Sequence, residues 1–334
     1  IAKYTNFSHT TISRYFNHPD SLTLKNQEII AKALEDLNYK ENKVARILAN
    51  GKTEFIGIII PGLHNHFHSE MLNKILLTYE KFGYKFLVFI GNEREETERQ
   101  YIQELMAYKI EGLIILSFTI PSKELADLQI PIVTIEREDK YVSSVNTDNY
   151  MGGIQAASLL AKHQCDVLFH ITAPTAQEIP SYGRIQGFLD LCKEKGLEHQ
   201  VIYKDFGAAY EEIEKVLREV LAELEQKYPK QKKGIFMSND TLANVLVNLL
   251  IRKYGRMPED YLIVGFDNSP ISREAVVPIS TVGQQIDKIA LEAVSLLVDQ
   301  MNERKKRKPA PLKEPVHKVI TPILFRRETT EGPL

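Results

Sequence analysis

The stretch "NKVARILANGKTEFIGIII", Asn42 to Ile60, joins two textures of sequence. Its second half, Phe55–Ile60, is an unbroken apolar run of the kind that forms a buried strand. Its first half sits where a linker belongs, yet Val44, Ala45, Ile47 and Leu48 are apolar and Lys43 and Arg46 are basic. A helix of about two turns does not hold together alone in water. These residues therefore predict a segment that folds only against a partner, such as a second copy of itself and a DNA minor groove. Leu48 then serves as a wedge between base steps. A plain connector would leave the aliphatic residues without a role.

Downstream, short apolar runs alternate with amphipathic helical segments. The runs are Phe55–Ile60, Lys85–Ile90, Gly112–Leu116 and Ile132–Ile135. After "NTDNYMGG" the pattern restarts with Val167–Ile171, Val201–Tyr203, Gly234–Met237 and Leu262–Gly265. Buried runs alternating with helices imply parallel sheets covered on both faces. Two such series predict an α/β body of two doubly wound parallel-sheet subdomains with a cleft between them. Ligands of such sheets sit outside the carboxyl ends of the strands. That rule nominates "PGLHNHFH" (Pro61–His68), Glu136-Arg137, "TDN" (Thr147–Asn149), "SND" (Ser238–Asp240) and "FDN" (Phe266–Asn268) as cleft-lining loops.

Upstream, the sequence reads as helices only. The chain opens at Ile1 inside what reads as a helix, so a few residues are expected to precede it. Asn6 tolerates the left-handed backbone of a tight turn. Ser8 is a good N-cap for a second helix in which Ile12 and Phe16 face inward. Thr23 caps a third, whose apolar stripe is expected to be Ile29, Ala33, Leu34 and Leu37. The second helix would expose Ser8, His9, Thr10, Ser13, Arg14 and Asn17, side chains able to reach base edges and phosphates. From these residues alone, a DNA-reading helix and the wet face of a small bundle fit equally. The aliphatic segment beyond decides for DNA.

Charge agrees in sign. The chain as a whole carries −2, but residues 1–52 hold eight bases against five acids, leaving the remainder at −5. A basic head on an acidic body suits a nucleic-acid partner. Cys165 and Cys192 have no metal-ligand spacing and read as reduced structural thiols of a cytoplasmic protein. No apolar run approaches the ~20 residues of a membrane span, and no membrane partner is expected.

"AKYTNFSHTTISRYFN" followed by "LEDLNYKENKVARILANGKTEFIGIIIP" resembles the DNA-binding head and hinge of the lactose-repressor (LacI/GalR) family of bacterial regulators. "IPIVTIER", "VNTDNYMGG", "GRIQGF", "GIFMSNDTLA", "LIVGFDN" and "ITPILFRRETT" resemble that family's landmarks in order, so the likeness covers nearly the whole chain. The body motifs are shared with periplasmic sugar-binding proteins.

The resemblance implies a helix-turn-helix head over 1–41 and a hinge helix and linker over 42–53. It implies one effector-binding subdomain over 54–150 plus about 285–312, and a second over 151–284 plus about 313–334. His9, Thr10 and Arg14 match base-reading positions. Ser8, Ser13, Asn17 and Thr23 match phosphate contacts, and Asn42, Lys43, Ala45 and Leu48 match the hinge helix. Asn6 departs from the family's usual glycine but remains compatible with the turn.

In the cleft, Arg184 matches an effector-clamping arginine, whose fixed fork suits hydroxyls, carboxylates or phosphates. Asn239, Asp267 and Gln284 match ligand-contact positions, Asn239 being preferred over its neighbour Asp240, which reads as a helix cap. Asn65, Phe67, His68, Glu136 and Asp148 complete the expected set, with Phe67 stacking on a sugar face. Glu136 replaces a common aspartate. His64, His66 and His68 alternate, so in an extended strand they would point one way, but no carboxylate or cysteine completes a zinc set. No metal or cofactor is expected.

Other signals fail. "GKT" at Gly51–Thr53 has Arg46 where a phosphate loop needs glycine. "RKKRK", Arg304–Lys308, reads as a solvated loop. The expected protein is a regulator, a homodimer or a tetramer, that binds operator DNA. A sugar or sugar derivative in its cleft controls operator affinity, most often as a repressor of a carbohydrate-utilisation operon. A sugar-binding transport receptor would share the body, but it should carry a signal peptide and no helical head. An enzyme on this scaffold would need a nucleophile, base or metal set, and none stands out.

Overall fold

The structure is a computed structural model that describes residues 1–40, 51–63, 66–137, 140–207, 209–306 and 314–332. The chain divides into two compact units, Ile1–Thr53 and Glu54–Leu334. Asn42, Lys43, Ala45, Leu48 and Asn65 lie outside the described residues.

The first unit contains Ala2–Thr5 (α1), His9–Asn17 (α2) and Leu24–Asp36 (α3). Asn6 ends α1 in the left-handed region, at φ 61°. Ser8 caps α2, its Oγ accepting from Thr11 N at 3.1 Å, and Thr23 Oγ1 accepts from Asn26 N at the head of α3. Each cap satisfies a donor that the first turn leaves open. Ile12, Ile30 and Ala33 form the small core. The stripe expected on α3 is corrected by one residue, since Ile29 and Leu37 are 40% and 45% exposed while Ile30 is fully buried. Ile30, Ala33 and Leu34 share a face at i, i+3, i+4, and that phase lets Tyr4 on α1 reach Asp36 Oδ2 at 3.0 Å.

The second unit holds twelve described strands in two six-stranded sheets. Phe55–Ile60 (β1), Lys85–Ile90 (β2), Gly112–Ile115 (β3), Ile132–Ile135 (β4) and Ser143–Thr147 (β5) lie in the first sheet. Val167–Thr172 (β6), Glu198–Tyr203 (β7), Lys233–Met237 (β8), Tyr261–Phe266 (β9) and Ser280–Gly283 (β10) lie in the second. His317–Ile320 (β11) and Ile323–Phe325 (β12) complete them. The orders are β11-β5-β4-β3-β1-β2 and β12-β10-β9-β8-β6-β7, with every pairing parallel except β10–β12. The longer helices are His66–Leu77 (α4), Glu95–Ala107 (α5), Asn149–Lys162 (α6), Tyr182–Glu194 (α7), Tyr210–Lys227 (α8), Asp240–Tyr254 (α9) and Ile286–Arg304 (α10). Ile56, Ile58, Ile59 and Ile60 on β1 are fully buried, each contributing about 1.5–3 kcal/mol of hydrophobic stabilisation.

The chain passes between sheets after β5, after β10 and after β11. The third passage corrects the expected boundary near 313. His317 to Ile320 pair in register with Ser144 to Thr147, so β11 belongs to the first sheet and only the chain from β12 onward joins the second. The residues at all three passages lie at carboxyl ends of strands, which places them together on one rim.

Helices α6 and α7 meet at glycines. A Cβ on Gly153 would lie 2.2 Å from the carbonyl oxygen of Arg184, and one on Gly187 would lie 2.1 Å from that of Tyr150. Backbone therefore packs on backbone, and this contact brings Arg184 beside the first residue of α6.

Candidate functional site

On the rim between the sheets, the described side chains form one continuous hydrogen-bonded chain. Asp267 Oδ1, beyond β9, accepts from Gln284 Nε2 at 2.7 Å. Gln284 Oε1, beyond β10, accepts from Thr147 Oγ1 at 2.6 Å, at the end of β5. Thr147 N donates to Glu136 Oε1, beyond β4. Glu136 Oε2 accepts from Asn149 Nδ2 at 2.9 Å, and Asn149 Oδ1 accepts from Arg184 Nε at 2.8 Å. Arg184 Nη1 ends the chain on Ser238 O, beyond β8, at 2.8 Å. The links pass from the second sheet to the first and back, so the chain responds to any change in how the two sheets sit.

Arg184 lies over the face of Phe266 at 3.6 Å from the ring centroid, a cation–π arrangement. Gly152 leaves room for that ring, because a Cβ there would lie 2.7 Å from Phe266 Cε2. Desolvation lowers the Arg184 pKa, while the charges of Asp267, Glu136 and Asp240 pull it back up. Arginine stays protonated under these influences. Burial raises the Asp267 carboxyl from its ordinary value, against the lowering effect of Arg184. Among the described residues, Asp267 Oδ2 and Arg184 Nη2 make no hydrogen bond, leaving a carboxylate oxygen and a guanidinium NH2 group open.

The loop carrying Asp267 is held from two sides. Asp267 and Asn268 both have positive φ, 104° and 55°, a conformation that non-glycine residues adopt only when their surroundings impose it. Asp240, fully buried, accepts from Ser269 N at 2.7 Å, from Ser269 Oγ at 3.1 Å and from Thr281 Oγ1 at 2.6 Å. Arg327 donates to Asn268 Oδ1 at 2.6 Å and to Ile279 O at 2.8 Å. Burial, and next the charge of Asp267, raise the Asp240 carboxyl.

Of the expected cleft residues, Glu136, Arg184, Asp267 and Gln284 are brought together in this chain. Asp148 is not part of it. Its Oδ1 caps α6 by accepting from Met151 N at 2.9 Å, and the buried neighbour Asn149 takes the rim position. Asn239 is likewise the cap of α9, accepting from Leu242 N at 2.9 Å, whereas Asp240 is the buried tie. The expected cap, Asp240, is corrected to Asn239. In both pairs the helix begins one residue after the capping side chain, which turns the next side chain inward.

Phe67 also departs from expectation. It is 7% exposed and packs in the core of the first sheet with Met71 and Ile75, on one face of α4 at spacing four. A ring held there does not stack on a cleft ligand. His68 lies on the same helix, half-buried and edge-on to Phe67 at 5.6 Å. His66 and His68 belong to a helix and not a strand, so alternation does not align them. Among the described residues no group of three or more His, Cys, Asp or Glu is placed to hold a metal ion. No described helix is long and apolar enough to cross a membrane.

Thr147, Asn149, Asp240 and Phe266 fall within the loops nominated from the sequence but were not named there as contacts, and Arg327 lies outside those loops. Their motifs were visible, but pairing across 137 residues, as between Thr147 and Gln284, leaves no local pattern. A separate cavity of about 740 Å³ lies at the amino ends of β4 and β5. Its buried polar lining is already paired, Gln300 Nε2 donating to Ser143 Oγ at 2.8 Å.

In the first unit, His9, Thr10, Ser13 and Arg14 are exposed on α2, the helix that Ser8 caps. The side chain of Asn17 lies outside the described residues. Ser8 and Thr23 each accept a capping bond, and Ser8 Oγ also shares a hydrogen bond with Thr11 Oγ1 at 2.9 Å.

A family model of the periplasmic binding protein-like domain matches residues 157–329. The ribose operon repressor of Halalkalibacterium halodurans is 29% identical over 99% of this chain and 96% of its own length. The sucrose operon repressor of Streptococcus mutans is 26% identical over 91% of this chain and 92% of its own. Among solved structures, the lac repressor dimer bound to operator and the anti-inducer ONPF shares the fold, with a TM-score of 0.81 over 98% of this chain and 97% of that one at 18% identity.

Proposed function

We propose, from the premise that this chain belongs to the LacI/GalR family of regulators built on the periplasmic binding protein-like domain, that it represses a carbohydrate-utilisation operon under control of a sugar or sugar derivative bound between its two sheets. The observation that carries the reading is the hydrogen-bonded chain from Asp267 to Ser238, because it couples occupancy of the rim to the relative placement of the sheets. A ligand engaging Asp267 and Arg184 shifts the equilibrium toward the arrangement that binds it better, by no more than its differential affinity for the two.

His9, Thr10 and Arg14 read bases of an operator half-site, and Ser8, Ser13, Asn17 and Thr23 contact its phosphates. The segment holding Asn42, Lys43, Ala45 and Leu48 pairs with its copy in a homodimer and enters the minor groove. Dimerisation matches a pseudo-palindromic site, since two-fold protein symmetry is mirrored in DNA half-sites. The exposed, capped helix α2 favours this reading over a transport receptor of the same body fold.

Removal of residues 1–53 tests the division of labour. The remaining 54–334 should keep ligand-induced thermal stabilisation and lose binding to duplexes selected from a random pool by the full chain. Retained duplex binding would refute the assignment of the head, and lost ligand binding would refute the independence of the cleft.

A further inference from the structure

We propose that the cleft ligand is an uncharged polyhydroxylated molecule, a free sugar or polyol, and not a phosphorylated, carboxylated or amino derivative. This rests on the effector reading above and narrows it. The open groups on the rim are Asp267 Oδ2 and Arg184 Nη2, one anionic acceptor and one cationic donor within a single hydrogen-bonded chain. A pair of hydroxyls answers both, since each hydroxyl can donate to a carboxylate oxygen and accept from a guanidinium N–H. The open pair is balanced in charge, so it draws neither an anion nor a cation.

The groups behind it exclude an anion more firmly. Glu136 carries its charge on the rim with both oxygens already accepting, from Thr147 N and Asn149 Nδ2. Glu70 acts on Asp267 electrostatically from α4. Against these acids, the neighbouring cations among the described residues are committed. Arg137, 8% exposed, donates through Nη1 to Ser117 O at 2.9 Å and through Nη2 to Ile120 O. Lys74 is paired with Asp287 at 2.7 Å. His170 is buried, with Nδ1 bonded to Phe236 O and its ring stacked on Phe236 at 4.3 Å. Arg184 itself has spent Nε on Asn149 and Nη1 on Ser238. A phosphate monoester of about two negative charges would meet one unspent guanidinium nitrogen and the field of Glu136 and Asp267. An ammonium group could take Asp267 Oδ2 only beside the Arg184 guanidinium, whose like charge opposes it.

Titration calorimetry and thermal shift on the full chain decide it, with matched probes. These are ribose and ribose 5-phosphate, fructose and fructose 6-phosphate, sucrose and sucrose 6-phosphate, and glucose with gluconate and glucosamine. At least one free sugar should bind, and its charged counterpart should bind about tenfold more weakly or worse. In the Glu136→Gln variant that ratio should narrow, because a fixed negative charge is gone while the oxygen facing Thr147 N remains. A charged member binding as tightly as its parent, or more tightly, overturns this inference and leaves the effector reading standing. No response to any member of the panel counts against both.

Discussion

Arg184 and Glu136 are joined through Asn149, whose Nδ2 donates to Glu136 Oε2 at 2.9 Å while its Oδ1 accepts from Arg184 Nε at 2.8 Å. One buried amide thus reads the position of the first sheet and reports it to a helix of the second. Replacing Asn149 with Ala strands an acceptor on Glu136 and a donor on Arg184. Leaving such groups without partners costs about 1–3 kcal/mol. Denaturant unfolding should show a loss of that size, and calorimetry should show ligand affinity falling about tenfold or more. Asn149→Asp should be as damaging for ligand, because it restores the bond to Arg184 but sets a carboxylate against Glu136.

Gly187→Ala tests the contact that places Arg184. Its Cβ would stand 2.1 Å from Tyr150 O and 3.0 Å from Ile154 N, and backbone atoms cannot swing aside as a side-chain end can. Helices α6 and α7 must separate, at about 1–3 kcal/mol for overpacking of this kind. Chemical denaturation should register that loss, with ligand affinity reduced in the same variant.

Asp240 gives the second unit a pH signature. Burial pushes its carboxyl up to about 8, from a reference value of 3.8. The folded state then holds this proton more tightly than the unfolded chain does. The group's contribution is whole below the unfolded pKa, and it is lost as pH rises through the folded one. Stability should therefore decline as pH rises across the interval between the two values and level off above the folded one. Urea unfolding across that range should show the decline in the parent chain and a flatter profile in Asp240→Asn. Equal slopes would contradict the assignment.

His9, Thr10 and Arg14 are exposed together on α2, and their joint exchange should change which duplexes are selected from a random pool. Each lost base contact is worth about 1–3 kcal/mol of discrimination. Ser8→Ala should instead weaken the head by about 1 kcal/mol through loss of its cap with base preference unchanged. An unaltered preference after the triple exchange would remove α2 from the reading of DNA.

The strands that bury apolar side chains were legible because their partners are generic. "FIGIII" needs only a hydrophobic interior, and any sheet supplies one. Ser143–Thr147 was not legible, since four of its five residues are polar and yet all five are buried. Its hydroxyls are answered from far along the chain, Ser143 Oγ by Gln300 Nε2 and Val316 N, and Ser144 Oγ by His317 Nδ1. A polar strand with distant partners reads locally as a loop.

The site was legible at the level of loops and less so at the level of side chains. "TDN" and "SND" were both nominated, but the choice between adjacent polar residues depends on where the helix starts. Asp148 and Asn239 cap, and Asn149 and Asp240 turn inward. Phe67 carried its own warning, since Phe67, Met71 and Ile75 repeat at the four-residue spacing of a buried helix face.

The central claim is that ligand in the cleft and DNA at the head share one free energy. The most direct measurement titrates a ligand found by thermal shift into the full chain, with and without a duplex that the chain has selected. The claim predicts that ligand changes duplex affinity by about tenfold or more, and that duplex changes ligand affinity by the same factor in the same direction. A ligand affinity that is identical with and without bound duplex would contradict it.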